Sequence, residues 1–482
     1  MSSKDKGNHP VPITFGFSNI GPVKSAELKL GDLTIIGGQN NTGKSYLVYT
    51  LYGFLKIWDR LPSIIHTKLR KNISKDLNFD FTNISASLLS GGKASIKITS
   101  ELLNRQRNKL LNQICKDFSR RGIHQVFSTK PDDFEKSSIS VRCLDEVSET
   151  KDFTHHANSI TLNEIDGKSG SLRIELKENL INFTLKTNNR AELEDDLENT
   201  ISYSYLQLML GNILPTPFIL SAERFGISLF YRELDFTKNQ LVDLLQKIGD
   251  QKNNENYSPF LFIDRTTSRY ALPIKDNIDY TRNIADHKKD KSDLYSSKVF
   301  GDIEAMMAGN YKIVDDEIRF MSKPRDGEKR FNIPLHLASS SVRGLSDLYF
   351  YLRHIANNNQ LLIIDEPESH LDTNNQVQLA RLLARLVNSG VKVLITTHSD
   401  YLIKEINNLI MLDHDFEGKD KVRRKLKYKK EDSLNKNCVS AYIATTKGLT
   451  SCAVDKYGIE MPVFDETIDR INTVSNELAS RI

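Results

Sequence analysis

A glycine-bounded loop near the start of the chain carries the most specific chemistry in the sequence. Residues 38–45 read GQNNTGKS and fit the pattern G-x-x-x-x-G-K-[ST]. The glycines let the backbone N–H groups converge on a phosphate, and the following helix adds the positive end of its dipole. Lys44 is expected to reach the β- and γ-phosphates, and the Ser45 hydroxyl is expected to hold Mg²⁺. The predicted ATP site comprises Gly38, Gln39, Asn40, Asn41, Thr42, Gly43, Lys44 and Ser45.

Two adjacent acids form the second candidate group. They follow an apolar run at 361–364, which is typical of a strand buried on both faces of a parallel sheet. Asp365 is expected to bind Mg²⁺, and Glu366 is expected to polarise an attacking water as a general base. Neighbouring carboxylates at the end of a buried strand are costly unless a cation or a proton-transfer task keeps them there. A solvated acidic turn is the alternative.

The next apolar run, at 391–395, predicts another core strand and ends in the sequence TTHS. A histidine at such a strand end can sense a γ-phosphate, because imidazole changes charge near neutral pH. A lone histidine can also be purely structural. We favour the sensing role for His398.

Two weaker groups complete the set of candidate residues. Glu223 and Arg224 follow a short apolar strand at 218–220, so they either point at a phosphate or metal site or form an ordinary surface salt bridge. Serines at 339–341 and Arg343 precede an amphipathic helix. Such serines are ordinary helix N-caps, but the same geometry can present hydroxyls and N–H groups to an anion.

Strands and helices are needed to position these residues. Periodicity and turn residues predict strands at 12–17, 23–30, 33–36, 160–162, 172–176, 180–185, 218–220, 312–321, 331–337, 361–364 and 391–395, and one opening at 440–442. They predict helices at 44–58, 100–121, 191–211, 236–248, 275–287, 294–307, 375–387 and 466–478. The segment 413–415 reads DHD, and we interpret it as a turn at a strand end rather than as a metal site.

Length and composition set the broad class. The chain has 482 residues, of which 39% are hydrophobic and 27% charged, as in ordinary globular proteins. A net charge of +4 does not by itself indicate a nucleic-acid binder. The four cysteines lack metal-binding spacing, so we expect reduced thiols and a cytoplasmic location. The polar amino terminus predicts no secretory signal, and no apolar run is long enough to predict a transmembrane helix.

The order of the segments GQNNTGKS, SSSVRG, LLIIDEPESHLD and TTHSD resembles that of the ATP-binding-cassette ATPases. Within them, the opening NIGP followed by a strand and the phosphate loop is most similar to the RecF/SMC-like branch that includes the overcoming-lysogeny (OLD) proteins. The resemblance covers roughly residues 12–58 and 330–410. It implies the Walker B role for Asp365, the catalytic-glutamate role for Glu366 and the switch role for His398. Residues 369–372 then match the D-loop.

The same resemblance places Ser340, Ser341 and Arg343 at the signature motif, although the usual Gly-Gly pair is missing here. No Q-loop glutamine is identified, and Glu223 and Arg224 are assigned to that neighbourhood.

The resemblance implies an α/β fold: an ABC-type P-loop ATPase head with a mixed β-sheet flanked by helices, a strand/helix insertion and a small α+β C-terminal region. We expect two parts of the ATPase head, at 1–58 and 321–412. Between them we expect a strand and helix elaboration at 59–215 and a strand with a helical insertion at 216–320. Residues 413–482 form the C-terminal region.

Partners also follow from the resemblance. Each head of the family offers its phosphate loop in cis and its signature helix in trans, which implies a homodimer or a higher oligomer that binds ATP and Mg²⁺. Similar ATPase subunits of the Septu, PARIS and retron-associated antiphage systems work with a separately encoded nuclease or toxin. We therefore expect an ATPase that regulates such an effector and has no nuclease activity of its own. The alternative is a RecF-like DNA-binding or repair ATPase, and the degenerate signature disfavours a transporter subunit.

One basic run remains outside these motifs. Residues 419–430 read KDKVRRKLKYKK, with a single acid. Such a run is usually a solvated, mobile loop. One functional alternative is contact with nucleic-acid phosphates, in which Tyr428 stacks on a base. The other is contact with an acidic partner.

Overall fold

The computed structural model describes residues 13–64, 81–97, 100–143, 160–162, 170–177, 180–187, 197–198, 200–201, 214–230, 270–295, 298–315, 317–324, 329–358 and 360–481. Its strands are β1 (Ile13–Ile20), β2 (Val23–Lys29), β3 (Leu33–Gly37), β4 (Lys93–Lys97), β5 (Ser138–Cys143), β6 (Ile160–Leu162), β7 (Gly170–Lys177), β8 (Leu180–Thr187), β9 (Thr216–Leu220), β10 (Gly309–Val314), β11 (Glu317–Ser322), β12 (Asn332–Pro334), β13 (Gln360–Asp365), β14 (Lys392–Thr397), β15 (Val439–Thr445), β16 (Gly448–Ser451), β17 (Val454–Asp455) and β18 (Gly458–Ile459). Its α-helices are α1 (Lys44–Ile64), α2 (Phe81–Gly91), α3 (Ser100–Arg121), α4 (Ile123–Val126), α5 (Leu272–Asn283), α6 (Lys298–Met307), α7 (Ser340–His354), α8 (Thr373–Asn388), α9 (Asp400–Met411), α10 (Lys419–Lys425) and α11 (Pro462–Ala479).

A mixed six-stranded sheet positions the candidate site. Its order is β16-β15-β3-β14-β13-β9, in which β16 is antiparallel and the other neighbours are parallel. The central strands β3, β13 and β14 are almost wholly buried, because helices cover both faces. The carboxyl ends of these parallel strands therefore meet at one edge of the sheet. The candidate residues after β3, β9, β13 and β14 all lie at that edge.

Two apolar cores cover the two faces of this sheet. One face packs against α1 and the small sheet β2-β1-β5, with Leu47, Leu51 and Phe54 of α1 fully buried. The other face packs against α7, α8 and α9, with Leu348, Leu383 and Ile406 among the buried side chains. This arrangement confirms the predicted fold class, an α/β fold with a mixed sheet flanked by helices.

Smaller sheets carry the predicted hairpins. β1 and β2 pair across a turn in which Asn19 and Gly21 have positive φ. β7 and β8 form a second hairpin, in which Lys177 lies opposite Leu180 next to the turn. β7 and β8 belong to a four-stranded sheet of order β4-β8-β7-β6.

The predicted continuous strand at 312–321 is wrong. The chain instead forms the hairpin β10–β11 and turns where Asp315 takes a φ of 49°, a conformation that aspartate tolerates. The predicted strand at 331–337 is reduced to β12, which ends at Pro334, because proline lacks the N–H needed to continue a ladder. Residues 335–337 form a 3₁₀ turn.

The helix predictions have mixed outcomes. α3 has the predicted bounds, whereas α1 runs six residues beyond the predicted end at 58. The predicted helix at 236–248 lies outside the described residues, and so does most of the one at 191–211. The segment 413–415 follows helix α9 and not a strand. None of the helices in the described ranges has the length and apolar character needed to cross a bilayer.

The basic run at 419–430 is not a loop throughout. It begins with helix α10, and the next residues are anchored: the Tyr428 hydroxyl donates to Glu405 Oε2 at 3.1 Å, and Lys429 Nζ lies 2.5 Å from Asp302 Oδ1. The Tyr428 ring also lies under the Arg381 guanidinium, 4.3 Å from its carbon. Tyr428 is therefore engaged within the chain instead of being presented to a base.

Candidate nucleotide site

The phosphate loop has the backbone that its glycines predict. Gly38 and Gly43 have φ values of 137° and 89°, and Asn41 between them has a φ of 61°. A Cβ on Gly43 would lie 2.5 Å from Val23 Cγ2, and one on Gly38 would lie 2.7 Å from the Ala444 carbonyl oxygen. Both glycines are thus required by conformation and by close packing.

Lys44 lies over this loop. Its Nζ donates to the carbonyl oxygens of Gly38 at 3.1 Å and of Gln39 at 2.8 Å, and the Thr42 hydroxyl also donates to Gln39 at 2.9 Å. Burial lowers the pKa of Lys44, while the nearby carboxylates Glu366, Asp365 and Glu368 act to raise it. The ammonium group is therefore held between the loop and an acidic strand end.

Asp365 is the most buried acid at this edge. Its Oδ1 accepts a hydrogen bond from the Thr396 hydroxyl, which lies opposite it on β14. Its Oδ2 is buried and has no hydrogen-bond partner among the described residues. Burial raises the pKa of Asp365, and the hydroxyls of Thr396 and Ser45 act in the opposite direction.

Glu366 is turned away from the strand by its backbone. Its φ is 49°, and its N–H donates to Thr396 Oγ1 at 3.0 Å. Its carboxylate accepts a hydrogen bond from the Ser369 hydroxyl at 3.1 Å and lies 3.6 Å from His398 Nε2. Glu366 has 38% of its side chain exposed, so its carboxylate is open to water while Asp365 is not.

His398 lies between the loop and Glu366. Burial and the Lys44 charge lower its pKa, and Glu366 and a hydrogen bond with the Gly38 backbone only partly oppose them. The neutral imidazole is thus favoured at neutral pH. The structure therefore brings His398 and Glu366 close to Lys44.

Glu368 belongs to this group but was missed in the sequence. Its Oε1 accepts hydrogen bonds from the Thr397 hydroxyl at 2.9 Å and from the His398 N–H at 2.6 Å, and its Oε2 is buried without a partner among the described residues. Burial raises its pKa. Its place three residues after Asp365 in an acid-rich segment was the available signal.

Only Arg224 differs from both sequence interpretations, because the charge of Glu223 acts on the buried Asp365 carboxylate and helps to raise its pKa. Arg224 is buried, and its guanidinium donates to the carbonyl oxygens of Asp365 and Glu366, each at 2.8 Å. It is thus neither a phosphate ligand nor half of a surface salt bridge. Glu223 is exposed and accepts a hydrogen bond at 3.1 Å from the hydroxyl of Tyr49, a second missed residue, one helical turn after Ser45.

The candidate signature residues lie apart from the loop. Ser339 caps α7 by accepting a hydrogen bond from the Val342 N–H, and the Ser341 hydroxyl lies 3.2 Å from the Ser339 hydroxyl, while Ser340 is exposed. Arg343 donates to the carbonyl oxygens of His336 and Ala338. Across the described ranges, no hydrogen bond or ion pair joins Ser340, Ser341 or Arg343 to residues 38–45.

The donor set fits Mg²⁺ when a nucleotide supplies the remaining ligands. Within the described part of the chain, no group of three or more acidic, histidine or cysteine side chains could hold a metal alone. Mg²⁺ is commonly held by one or two protein oxygens together with phosphates and water. The unpartnered Asp365 Oδ2, with the Ser45 hydroxyl beside the carboxylate, suits that role.

A parallel sheet whose carboxyl edge carries a phosphate loop, two acids and a histidine defines the class of P-loop nucleotide-binding proteins. The chain belongs to the AAA ATPase domain family, whose model matches residues 18–403. It is therefore an ATPase.

Solved structures of SMC heads have a distant likeness to this chain. The SMC head domain from Thermotoga maritima is 11% identical, covers 92% of this chain and 100% of its own, and has a TM-score of 0.30. An SMC head bound to the C-terminal winged-helix domain of ScpA is 12% identical, with 93% and 99% coverage and a TM-score of 0.32. An SMC head with an extended coiled coil, bound to a ScpA domain derived from Pyrococcus furiosus, is 12% identical, with 97% and 100% coverage and a TM-score of 0.29. No curated protein matches the chain in sequence. These TM-scores are below 0.5, so the likeness to SMC heads carries no conclusion about function.

Proposed function

We propose that this chain is an SMC/OLD-like, ABC-type ATPase in which Lys44, Asp365, Glu366 and His398 bind and hydrolyse ATP. The observation that carries the proposal is the convergence of these four side chains at one edge of the central sheet, with His398 Nε2 3.6 Å from Glu366 Oε1. Lys44 would hold the β- and γ-phosphates, and Ser45 and Asp365 would hold Mg²⁺. Mg²⁺, when bound, would neutralise charge on the phosphates. Glu366 would accept a proton from the attacking water, and His398 would contact the γ-phosphate.

We further propose that ATP joins two copies of the chain. Arg343 and the serines before it make no hydrogen bond with the phosphate loop of their own chain in the described ranges. At the start of helix α7, Ser340 is exposed and Ser341 is partly exposed, so both are accessible to a second copy. The phosphates of one copy would then lie against the start of α7 in the other, which completes the site.

The proposed biological role is control of a separately encoded nuclease or toxin in antiphage defence. Its support is the resemblance of the four sequence motifs to ATPase subunits of such systems. ATP-driven pairing of heads would change the surface available to the effector.

Mass measurement tests this proposal directly. Purified Glu366→Gln protein, which should retain ATP, is expected to double in mass when ATP and Mg²⁺ are added, and Ser340→Arg should prevent the doubling because a large cation would occupy the interface. Co-purification with the products of neighbouring genes should then yield a complex that contains the effector. A Glu366→Gln protein that stays monomeric with bound ATP would contradict the dimer, and a neighbourhood without a co-purifying effector would contradict the regulatory role.

A second candidate function, DNA binding, is favoured by one face of α10. Lys421, Arg424 and Lys425 lie at i, i+3 and i+4, so they share a face, and none of them has an acidic partner among the described residues. The other cations of helix α10 are paired: Lys419 lies 3.5 Å from Asp415, and Arg423 lies 2.8 Å from Asp420.

Salt dependence tests this second candidate. Replacing the three unpaired cations with glutamine should lower the slope of log K against log salt by about three units, because each cation that neutralises a phosphate adds roughly one unit. The matched control replaces Lys419 and Arg423, which already have acidic partners, and should change the slope less. Equal slopes in the wild type and in both variants would remove α10 from DNA binding.

A further inference from the structure

We propose that Arg224 is a positioning residue for ATP hydrolysis, because its guanidinium holds the backbone turn that aims Glu366. This inference depends on the catalytic role proposed for Glu366. It assigns Arg224 a function that requires no contact with the nucleotide.

The Arg224 guanidinium binds two successive backbone carbonyl groups. Arg224 Nη1 donates to the Asp365 carbonyl oxygen and Nη2 to that of Glu366, both at 2.8 Å. A guanidinium presents its donors as a rigid planar fork, so it can bind two successive carbonyl groups at once. These are the carbonyl groups on either side of the Glu366 Cα, whose φ of 49° is rare for residues other than glycine. Arg224 therefore fixes the conformation that directs the Glu366 side chain towards His398.

Arg224 is itself fixed just after the end of β9. Its Nη1 also donates to the Ser221 carbonyl oxygen at 3.0 Å. The Ser221 N–H donates to the side-chain oxygen of Asn277 on α5 at 2.6 Å, which secures the strand end. The guanidinium therefore acts from an anchored backbone, as a positioning group must.

The neighbouring residue holds the other end of the same turn. The Phe225 ring stacks on the His370 ring, with centroids 4.2 Å apart, and the guanidinium carbon of Arg343 on helix α7 lies 4.5 Å from the Phe225 centroid. Arg224 binds the start of the segment 366–370, and Phe225 contacts its last residue. The two residues together join the turn at 366–370 that carries Glu366, the catalytic turn, to the start of α7.

The Arg224 cation is buried among acidic side chains. Arg224 is only 4% exposed, so its cation needs nearby negative charge. Asp347 on α7 and the acids at 365, 366 and 368 provide it. Such a buried arginine is costly, and its three identified hydrogen bonds all go to carbonyl oxygens, two of them in the catalytic turn.

The test separates positioning from simple stabilisation. Arg224→Lys keeps the charge but replaces the fork with a single ammonium group, which cannot hold the two carbonyl groups in the same way. We expect kcat to fall by about 10- to 100-fold, because small misplacements of a catalytic group have effects of that size. The Kd for ATP, measured by calorimetry, should remain within about twofold of the wild-type value, since Arg224 does not touch the nucleotide. Arg224→Met should lower kcat at least as much.

A double-mutant cycle gives the decisive readout. In single-turnover measurements, Arg224→Lys should cause little further loss in a Glu366→Gln background, because it acts through Glu366. The matched control is Arg385→Lys, another buried arginine, which pairs with Asp302 and Asp432 near the end of α8. This control should lower the melting temperature and leave kcat unchanged.

Three results would overturn the proposal. Folded Arg224→Lys could keep the wild-type kcat, or its ATP affinity could fall by as large a factor as its kcat. The third is that Arg224→Lys lowers the single-turnover rate by the same factor in the wild-type and Glu366→Gln backgrounds. If Arg224→Met does not fold, Arg224→Lys decides. Failure of both to fold would assign Arg224 to stability alone and would also overturn the proposal. Wild-type turnover by Glu366→Gln alone would instead contradict the proposed function, so the two failures are distinguishable.

Discussion

Asp365 and Glu366 are adjacent in sequence, yet the structure gives them different environments. Asp365 ends β13, and burial raises its pKa although the Thr396 hydroxyl donates to one of its oxygens. The other oxygen has no hydrogen-bond partner among the described residues. Glu366 has a positive φ, and its side chain leaves the strand direction and meets Ser369 and His398. The positive φ of Glu366 therefore gives two adjacent acids different surroundings, one buried and one open to water.

Glu366→Gln should retain ATP binding and lose turnover. The amide can still hydrogen-bond a water but cannot accept its proton, and general-base catalysis typically contributes about 10²–10⁴ in rate. Steady-state phosphate release by the purified protein measures the effect, and Glu417→Gln, an exposed glutamate, is the control. Turnover within about threefold of wild type would remove Glu366 from the mechanism, since a general base contributes far more.

Lys44→Ala should weaken ATP binding. The substitution removes a charge-assisted hydrogen bond of about 1.5–3 kcal/mol, which corresponds to about a 10- to 100-fold higher Kd. Calorimetric titration measures the Kd. Lys56→Ala, on the same helix and 3.7 Å from Asp276, should leave it unchanged. Equal ATP affinity in wild type and Lys44→Ala would contradict the phosphate-binding role.

At the scale of elements, helix α7 begins with an exposed turn and carries a buried carboxyl group, that of Asp347, further along. Asp347 Oδ1 lies 3.4 Å from the Ser346 hydroxyl and 3.5 Å from that of Thr281, and Oδ2 has no partner in the described ranges. Burial raises the pKa of Asp347 to about 7, although the Arg224 charge and the two hydroxyls act to lower it. A carboxyl group that titrates near neutral pH is therefore buried in this helix, close to the Arg224 charge.

Asp347→Asn should change the pH dependence of stability. Because the folded pKa lies above the ordinary value of 3.8, Asp347 contributes stability below about pH 4, and this contribution is lost as the pH rises to about 7. A shift of this size corresponds to roughly 4 kcal/mol. The variant should therefore match the wild type near pH 4 and melt at a higher temperature at pH 8. Thermal melts across that range measure the effect, and Asp279→Asn, at a partly exposed acid on α5, is the control. Parallel curves for Asp347→Asn and the wild type would contradict this expectation.

At the scale of the molecule, the site is assembled from segments far apart in the chain. β3 pairs with β14, which follows it by more than 350 residues, and β15 pairs with the other side of β3. The division into five regions stays a prediction, but residues 439–451 add two strands to the sheet that carries the phosphate loop. The carboxyl-terminal part therefore supports the nucleotide site directly through Ala444, which packs against Gly38.

The pure chain should not cleave DNA. The described residues hold no group of three or more acidic, histidine or cysteine side chains that could bind a metal, and the acids at the strand ends surround the phosphate loop. Plasmid incubated with the protein, ATP and Mg²⁺ or Mn²⁺ should remain supercoiled, with Glu366→Gln assayed in parallel. Cleavage that survives Glu366→Gln and is abolished by mutation outside the ATP site would reveal a nuclease centre.

The sequence by itself determined the parts whose chemistry is local. The phosphate loop needs glycines at 38 and 43 because of backbone conformation, and the apolar runs before Asp365 and His398 form buried strands, as their composition predicts. Tertiary structure decided what depends on contacts across the fold. Arg224 binds carbonyl groups 141 and 142 residues away, so no local pattern could assign its role. The acid-rich segment offered a signal for Glu368, but its contact with the His398 N–H, 30 residues away, depends on the fold. Strand pairing also decided that residues near 440 complete the sheet, because a short apolar segment does not encode its neighbour.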